Sequence, residues 1–248
     1  MNFNKELYDE IGVNYSIGRK SDAYIAAQIN SELQGSDSIL NIGAGSGSYE
    51  PQSVNLTAVE PSNAMIKQRT PGSHPVCKAK AEYLPFADKS FSHTMTILSM
   101  HHWSDRKQAL TEISRVTKKR FIAVTWDPGD NLFWLTRDYF PEIYDIDRHI
   151  FPQTDEFYET FEKVTVKALP IPADCRDGFM AAYWRKPHAY LDKQVREGIS
   201  TFHKISNIND GLYKLEKDLK SGIWQQRYAD LLKLKFIDVG YKIIVIDF

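Results

Sequence analysis

Short apolar runs alternate with amphipathic segments through the first half of the chain. The apolar runs cover residues 38–42, 56–60, 76–82, 92–100 and 120–127, and each is predicted to be a strand. Helices are predicted between them. Ser21 can cap the periodic stretch AYIAAQINSEL, which Gly35 can end, and Ser104 can cap DRKQALTEISRVTKK. Strands and helices in alternation are typical of a parallel sheet covered on both faces.

The pattern changes after residue 127. Between residues 126 and 190 there are 14 aromatic residues in 65, about 22%, against 12% for the whole chain. The region contains one predicted strand at about 163–171, a long predicted helix from residue 188 to about 203, and another at about 211–219. The final stretch FIDVGYKIIVIDF predicts a strand that returns to the sheet. The aromatic residues fit either core packing between helices or a pocket for a small molecule.

A glycine-rich turn follows the first predicted strand directly. The stretch ILNIGAGSGSYE has glycines at 43, 45 and 47, and glycine lets a backbone approach a ligand closely because no Cβ intervenes. A P-loop would need Lys after the last glycine, and none is present. The dinucleotide fingerprint would need glycine at position 48, where Ser48 stands, which disfavours a nicotinamide dehydrogenase without excluding it. Glu60 ends the second strand, where an acidic side chain can accept hydrogen bonds from ribose hydroxyls.

Four stretches in order carry a family resemblance: ILNIGAGSGSYE, AVEPSNAMI, AKAEYLPFADKSFSHTMTILSMHHW and RFIAVTWD. They resemble the motifs of class I S-adenosylmethionine-dependent methyltransferases, most closely the small-molecule group with the ubiquinone- and menaquinone-pathway enzymes. The resemblance covers about residues 8–127 and the terminal strand. It implies an α/β fold with a Rossmann-like, seven-stranded, mostly parallel sheet, an antiparallel last strand and a helical cap.

The resemblance also implies roles for single residues around S-adenosylmethionine. The glycine turn would pass beside the methionine and ribose parts, Glu60 would hold the ribose, and the N-terminal residues would close over the cofactor or substrate. The residues so implied are Tyr15, Arg19, Gly43, Ala44, Gly45, Glu60, Pro61, Met65, Ala81, Glu82, Leu98 and Ser99. Two positions depart from the family: Lys80 stands where an acidic residue is frequent, and Ser92 where Asp is frequent.

Methyl transfer mostly requires orientation of donor and acceptor, and a base is needed only where the acceptor must lose a proton. His101 and His102 follow the fourth strand and are the candidate bases, the alternative being a role in shaping the turn. Asp127 ends the fifth strand and is a further candidate, although the sequence Asp-Pro-Gly that it begins is also typical of a turn. The candidate substrate residues are Trp126 in the fifth strand and, in the cap, Asp174, Asp177, Tyr183 and Trp184, each of which also fits a structural role. No residue set at ligand spacing predicts a metal site.

The composition limits the classes of partner and the compartment that are expected. The formal net charge of −1, from 31 basic and 32 acidic residues, gives no basic excess that would favour nucleic acid. No signal peptide or membrane span is predicted, and Cys77 and Cys175 form no zinc or disulfide pattern, so the cytoplasm is the expected compartment. The prediction is a small-molecule methyltransferase with a core at 1–127, a cap at 128–220 and a returning segment at 221–248. A nicotinamide-dependent oxidoreductase and a cofactor-binding module without turnover are the alternatives, and the oligomeric state is not predicted.

Overall fold

A seven-stranded sheet forms the centre of the molecule, in a computed structural model that describes residues 19–127, 129 and 133–248. Tyr15 lies outside the described residues. The strands of this sheet follow the order β3-β2-β1-β4-β5-β9-β6. In chain order they are β1 Ile39–Ile42, β2 Leu56–Val59, β3 Val76–Cys77, β4 Phe91–Ile97, β5 Thr117–Trp126, β6 Val164–Ala168 and β9 Tyr241–Asp247. Two short strands, β7 Ile171–Pro172 and β8 Phe236–Ile237, pair separately.

The first five strands of the sheet are mutually parallel. Strand β9 runs antiparallel to β5 on one side and to β6 on the other, and β6 pairs with no strand but β9 among the described residues. The predicted sheet of seven mostly parallel strands with an antiparallel last strand is therefore confirmed. The change of strand order on either side of β1 opens a crevice at the carboxyl ends of β1 and β4, which is where ligands bind in such sheets.

Helices cover both faces of the sheet. They are α1 Ala23–Glu32, α2 Asn63–Lys67, α3 Arg106–Val116, α4 Trp134–Asp138, α5 Pro141–Ile150, α6 Thr154–Thr160, α7 Lys193–Glu197, α8 Ile208–Lys220 and α9 Ile223–Arg227. Alternate residues of β1 face opposite sides, as the pleat requires. Ile39 belongs to the apolar cluster that includes α1 residues and the aromatic residues of the cap, whereas Leu40 and Ile42 belong to the cluster that includes the apolar side of α3.

Several predicted boundaries were wrong. The predicted helix at 188–203 is broken into a 3₁₀ turn Pro187–Leu191, helix α7, and a second 3₁₀ turn Ser200–His203. It breaks because Asp192 starts a new helix by accepting a hydrogen bond from the Gln194 N–H, and Gly198 ends that helix after five residues. The third predicted strand is only two residues long, and the predicted strand at 163–171 divides into β6 and β7.

Two predicted helix caps were wrong by one residue. Asp22, and not Ser21, caps α1 by accepting from the Tyr24 and Ile25 N–H groups. Asp105, and not Ser104, caps α3 by accepting from the Gln108 N–H. Both serines have long-range partners instead: the Ser21 hydroxyl accepts from the Tyr49 N–H, and Ser104 donates to Glu82.

Candidate functional site

The glycine turn after β1 is held against the end of β2. The Gly43 and Ala44 N–H groups donate to the Val59 carbonyl at 2.9 and 3.0 Å. Gly43 has φ +68°, and a Cβ there would lie 2.4 Å from the Ser99 Oγ atom. Position 43 therefore requires glycine for two reasons, its left-handed backbone and its contact with the chain that leaves β4.

Glu60 joins the glycine turn to the residues after β2. One carboxylate oxygen accepts from the Gly45 N–H at 2.8 Å, and the other accepts from the Ser62 N–H at 2.9 Å. The side chain is buried, and burial raises its pKa above the ordinary value, although these two hydrogen bonds oppose the rise. A carboxylate offers about four lone-pair sites, so Glu60 can accept further hydrogen bonds from a ligand.

A cavity of about 720 Å³ lies along the carboxyl ends of β1, β2 and β4. Its volume is in the range of about 300–1,000 Å³ that is usual for small-molecule and cofactor sites. Every described residue that the family resemblance implied lines this cavity: Arg19, Gly43, Ala44, Gly45, Glu60, Pro61, Met65, Ala81, Glu82, Leu98 and Ser99. It is also lined by Asn41, Tyr49, Lys78, Lys80, His102 and Trp103, which the sequence did not single out as cofactor residues.

The carboxylate of Glu82 is engaged with the start of α3. One of its oxygens accepts from the Ser104 N–H at 2.8 Å, from the Ser104 hydroxyl at 2.7 Å and from the Asp105 N–H at 3.2 Å. Burial raises the pKa of Glu82, but these hydrogen bonds outweigh it and leave the pKa below its ordinary value. Glu82 thus fixes the position of α3 at one wall of the cavity.

The chain leaves β4 through an unusual backbone at Leu98. Leu98 has φ +49°, in the left-handed region that residues with a Cβ seldom adopt. Its N–H donates to the Val124 carbonyl, while the Ser99 hydroxyl lies 2.6 Å from the Thr96 hydroxyl and donates to the Ile42 carbonyl. This turn brings Leu98 and Ser99 to the cavity wall beside Gly43.

The two candidate bases lie side by side after β4. The rings of His101 and His102 are 3.7 Å apart, His101 stacks on Phe151 at 4.1 Å, and the His101 Nδ1 atom is buried without a hydrogen-bond partner. Burial, and then the charge of Lys204, lowers the pKa of His102 to about 3. Burial also lowers the pKa of His101 well below its usual value. Both rings are therefore neutral at neutral pH, and only His102 lines the cavity.

The candidate substrate residues of the cap do not line the cavity. Trp126 and Trp184 are buried, and their indole N–H groups donate to the Val239 carbonyl and to the carbonyls of β7, respectively. Tyr183 packs edge-on against Tyr190, and Asp174 is exposed. Trp126 and Trp184 are thus packed in the protein core, and Tyr183 is partly buried against it. Asp177 is buried and contacts Arg19 and Tyr49.

Asp127 is also engaged within the protein. Its carboxylate accepts from the Thr154 N–H and hydroxyl and from the Lys242 ammonium group. Burial raises the pKa of Asp127, but these partners outweigh that effect and lower it overall. The interaction ties the end of β5 to the start of α6, which gives Asp127 a structural role.

A buried ion pair below the glycine turn was not predicted. Arg69 donates to both carboxylate oxygens of Glu50, at 2.7 and 3.1 Å, and the Asn41 amide donates to Glu50 at 2.9 Å. The side chains of Arg69 and Glu50 are 4% and 2% exposed. No local spacing rule connects a residue after α2 with one after the glycine turn, so the pairing required the folded structure.

Two further properties concern the described part of the chain. Among its His, Cys, Asp and Glu side chains, no group of three or more is arranged to hold a metal ion. None of the helices in residues 19–127 and 133–248 is long and apolar enough to cross a membrane.

Comparison with known proteins identifies the family. A family model described as a methyltransferase domain matches residues 40–124. A solved structure from Anabaena variabilis, described as a methyltransferase from an antibiotic biosynthesis pathway, is 31% identical with a TM-score of 0.85. The match covers 92% of this chain and 98% of that one.

Two further proteins are similar over different extents. An uncharacterized protein of Methanocaldococcus jannaschii is 30% identical over 118 residues, which are 46% of this chain and about half (47%) of that relative. The Haemonchus contortus phosphoethanolamine N-methyltransferase 2, solved with S-adenosylhomocysteine, shares the fold at 15% identity and a TM-score of 0.54. That match covers all of this chain and 57% of the other.

The chain belongs to the class I methyltransferases, the enzymes that use S-adenosylmethionine. The cavity fits this cofactor: glycine is required at position 43, a buried carboxylate stands where ribose hydroxyls can be bound, and the volume suits a nucleoside with an amino-acid arm.

Proposed function

We propose that this protein transfers the methyl group of S-adenosylmethionine to a small-molecule acceptor. The observation that carries the proposal is the cavity at the carboxyl edge of β1, β2 and β4, where the glycine turn and the Glu60 carboxylate meet. A nicotinamide-dependent oxidoreductase would use the same edge of such a sheet. The family membership and Ser48 in place of the third fingerprint glycine both favour the methyltransferase.

The proposed cofactor contacts follow the order of the strands in the sheet. Glu60 follows β2 and would accept hydrogen bonds from the ribose hydroxyls with the lone pairs that the Gly45 and Ser62 N–H groups leave available. Pro61, Met65 and Ala81 line the β2–β3 side of the cavity and would pack around the adenine ring. Five residues that line the cavity would surround the methionine arm: Arg19, Gly43, Ala44, Leu98 and Ser99.

Methyl transfer mainly requires that the methyl donor and the acceptor be correctly oriented. The bound cofactor supplies an electrophilic methyl group on a sulfonium, and the chain's own residues align the acceptor with it. Such positioning can contribute about 7–11 kcal/mol to lowering the barrier. His102 lies at the cavity wall, but with its pKa lowered to about 3 it is a weak base, which favours an acceptor that reacts without losing a proton. Such an acceptor needs no base.

The acceptor is proposed to be a small molecule bound between the cavity and the cap at 128–220. The net charge of −1 offers no electrostatic attraction for nucleic acid, and the similar Anabaena protein is described as part of an antibiotic biosynthesis pathway. Cys77 and Cys175 are free thiols, which suits the reducing cytoplasm that we propose as the compartment.

Calorimetric titration tests the cofactor. S-adenosylhomocysteine, the product form, is expected to bind with a measurable heat, and NAD is expected to bind far more weakly. Binding of NAD together with no response to S-adenosylhomocysteine would refute the methyltransferase proposal and favour the oxidoreductase.

Labelled methyl transfer tests the acceptor class. The protein is incubated with methyl-labelled S-adenosylmethionine and a cell extract that has been separated by ultrafiltration into small molecules and macromolecules. Label is expected in the small-molecule fraction only. Label in protein or nucleic acid would overturn the small-molecule assignment, and cofactor binding without transfer to either fraction would support a module without turnover.

A further inference from the structure

Asp177 stands at the centre of a buried network that reaches three parts of the chain. Its carboxylate accepts from the Arg19 Nε at 2.6 Å, from the Arg19 Nη2 at 3.3 Å and from the Tyr49 hydroxyl at 2.7 Å. It also accepts from the Gly178 N–H at 2.6 Å. The Arg19 and Asp177 side chains are 10% and 1% exposed, so water competes little for these hydrogen bonds.

The network extends from the cap to the glycine turn. Tyr49 follows that turn with φ +64°, and its hydroxyl accepts from the Asp22 N–H at 3.3 Å. The carboxylate of Asp22 in turn accepts from the Arg176 N–H at 3.1 Å. The start of α1, the cap segment at 176–178 and the residue after the glycine turn are therefore held together by polar contacts.

Arg19 is the basic residue best placed to meet the carboxylate of the cofactor's methionine arm. The described cavity wall has three basic residues with a permanent positive charge, and two of them, Lys78 and Lys80, follow β3 on the adenine side. His102 is neutral. A guanidinium has five N–H donors in a fixed plane, so a carboxylate partner on one edge determines where the remaining donors point.

We propose that Asp177 is a positioning residue that orients Arg19 toward the carboxylate of S-adenosylmethionine and thereby links the cap to the cofactor cavity. This inference rests on the proposed function. Asp177 does not line the cavity, so it would contact neither the cofactor nor the methyl acceptor. It acts through Arg19 and Tyr49, which do line the cavity. Because Asp177 belongs to the cap, a displacement of the cap segment at 176–178 changes the affinity for the cofactor.

The test compares two ligands that differ in the methionine arm. S-adenosylhomocysteine carries the carboxylate, and 5′-methylthioadenosine keeps the nucleoside and sulfur but lacks the amino acid. Asp177→Asn is expected to weaken S-adenosylhomocysteine binding about tenfold or more, since hydrogen bonds to charged groups are involved. Binding of 5′-methylthioadenosine is expected to change by less than about twofold. Asp174→Asn, the same substitution at an exposed position of the same segment, is the control and is expected to change neither affinity.

Arg19→Met supplies the same comparison of the two ligands if Asp177→Asn folds poorly, and a double-mutant cycle adds a second test where both single variants fold. Arg19→Met is expected to show the same selective loss, and adding Asp177→Asn to it is expected to cause no further loss of S-adenosylhomocysteine affinity. Equal losses for both ligands, or additive effects in the cycle, would overturn the inference while leaving the proposed function standing. Failure of the unchanged protein to bind S-adenosylhomocysteine would instead refute the proposed function.

Discussion

Glu60 is the residue whose substitution tests the cofactor site most directly. Glu60→Gln keeps the size of the side chain, but its amide N–H₂ cannot accept from both the Gly45 and the Ser62 N–H groups. Hydrogen bonds to a charged group contribute about 1.5–3 kcal/mol each. Loss of the two proposed ribose hydrogen bonds is therefore expected to cost about 3 kcal/mol, roughly a hundredfold increase in the Kd of S-adenosylhomocysteine.

The structure also changes the expected effect on stability. From the sequence alone, a strand-end carboxylate would contribute little to the unliganded fold. Glu60 instead satisfies two backbone donors at a buried position, and an unsatisfied buried donor costs about 1–3 kcal/mol. Removing the carboxylate also removes the cost of burying its charge, which offsets part of this loss. The free energy of unfolding is therefore expected to fall by about 1–2 kcal/mol, which corresponds to a fall in Tm of about 2–8 °C for a chain of this size.

The pH dependence gives an independent readout with a definite sign. Burial raises the pKa of Glu60, so the group favours the fold at low pH and this contribution is lost as the pH rises through the raised pKa. Ligand binding has the opposite slope, because the ribose hydroxyls need the ionised acceptor. The affinity for S-adenosylhomocysteine is expected to rise as the pH passes through the raised pKa of Glu60, and Glu60→Gln is expected to remove that rise.

Titration calorimetry at several pH values and thermal denaturation with and without ligand measure these effects. The exposed Glu159→Gln serves as the matched control and is expected to change neither quantity. If Glu60→Gln lowers Tm but binds S-adenosylhomocysteine within about twofold of the unchanged protein, Glu60 only supports the turn and the ribose assignment is refuted.

Three further predictions follow from the geometry. Gly43→Ala is expected to lose more stability and ligand affinity than Gly72→Ala, because both have positive φ but only position 43 meets Ser99; equal losses would contradict this. The rate of methyl transfer is expected to be independent of pH near 6.5, since burial and Lys204 lower the pKa of His102 to about 3, and an inflection there would show that a histidine titrates in the reaction. Burial raises the pKa of Asp147 to about 7, so the stability it contributes at low pH is lost as the pH rises through about 7. Asp147→Asn is expected to flatten this dependence in denaturation curves, and an unchanged slope would contradict the assignment.

The cofactor side of the cavity could be predicted because its signals are local. A strand, three closely spaced glycines and an acidic residue at the end of the next strand lie within about 20 residues, and parallel strands bring their carboxyl ends to one edge. The alternation of apolar runs and amphipathic segments predicted the parallel part of the sheet, and the family resemblance implied its seven strands. Segments without such regular spacing, such as the helix predicted at 188–203, were misjudged, because their breaks depend on single residues such as Asp192.

The cap could not be predicted in the same way. Its aromatic enrichment fitted both a pocket and a core, and only the fold shows that Trp126 and Trp184 pack inside. Asp177 was expected at the substrate, yet its partners Arg19 and Tyr49 are 158 and 128 residues away along the chain. Likewise, nothing near Glu50 in the sequence indicates that Arg69 is its partner. Such pairings depend on tertiary contacts that single-sequence patterns do not encode.

The position of β9 has a consequence for biosynthesis. During translation β6 emerges well before β9, yet among the strands that the structure describes it pairs with β9 alone, which also covers the edge of β5. The nascent chain can therefore assemble the cofactor half while the edge of β5 is still open to other strands, and unpaired edges of this kind favour aggregation. A ribosome that stalls before β9 would release a chain with a cofactor cavity, an unanchored cap segment and an exposed strand edge.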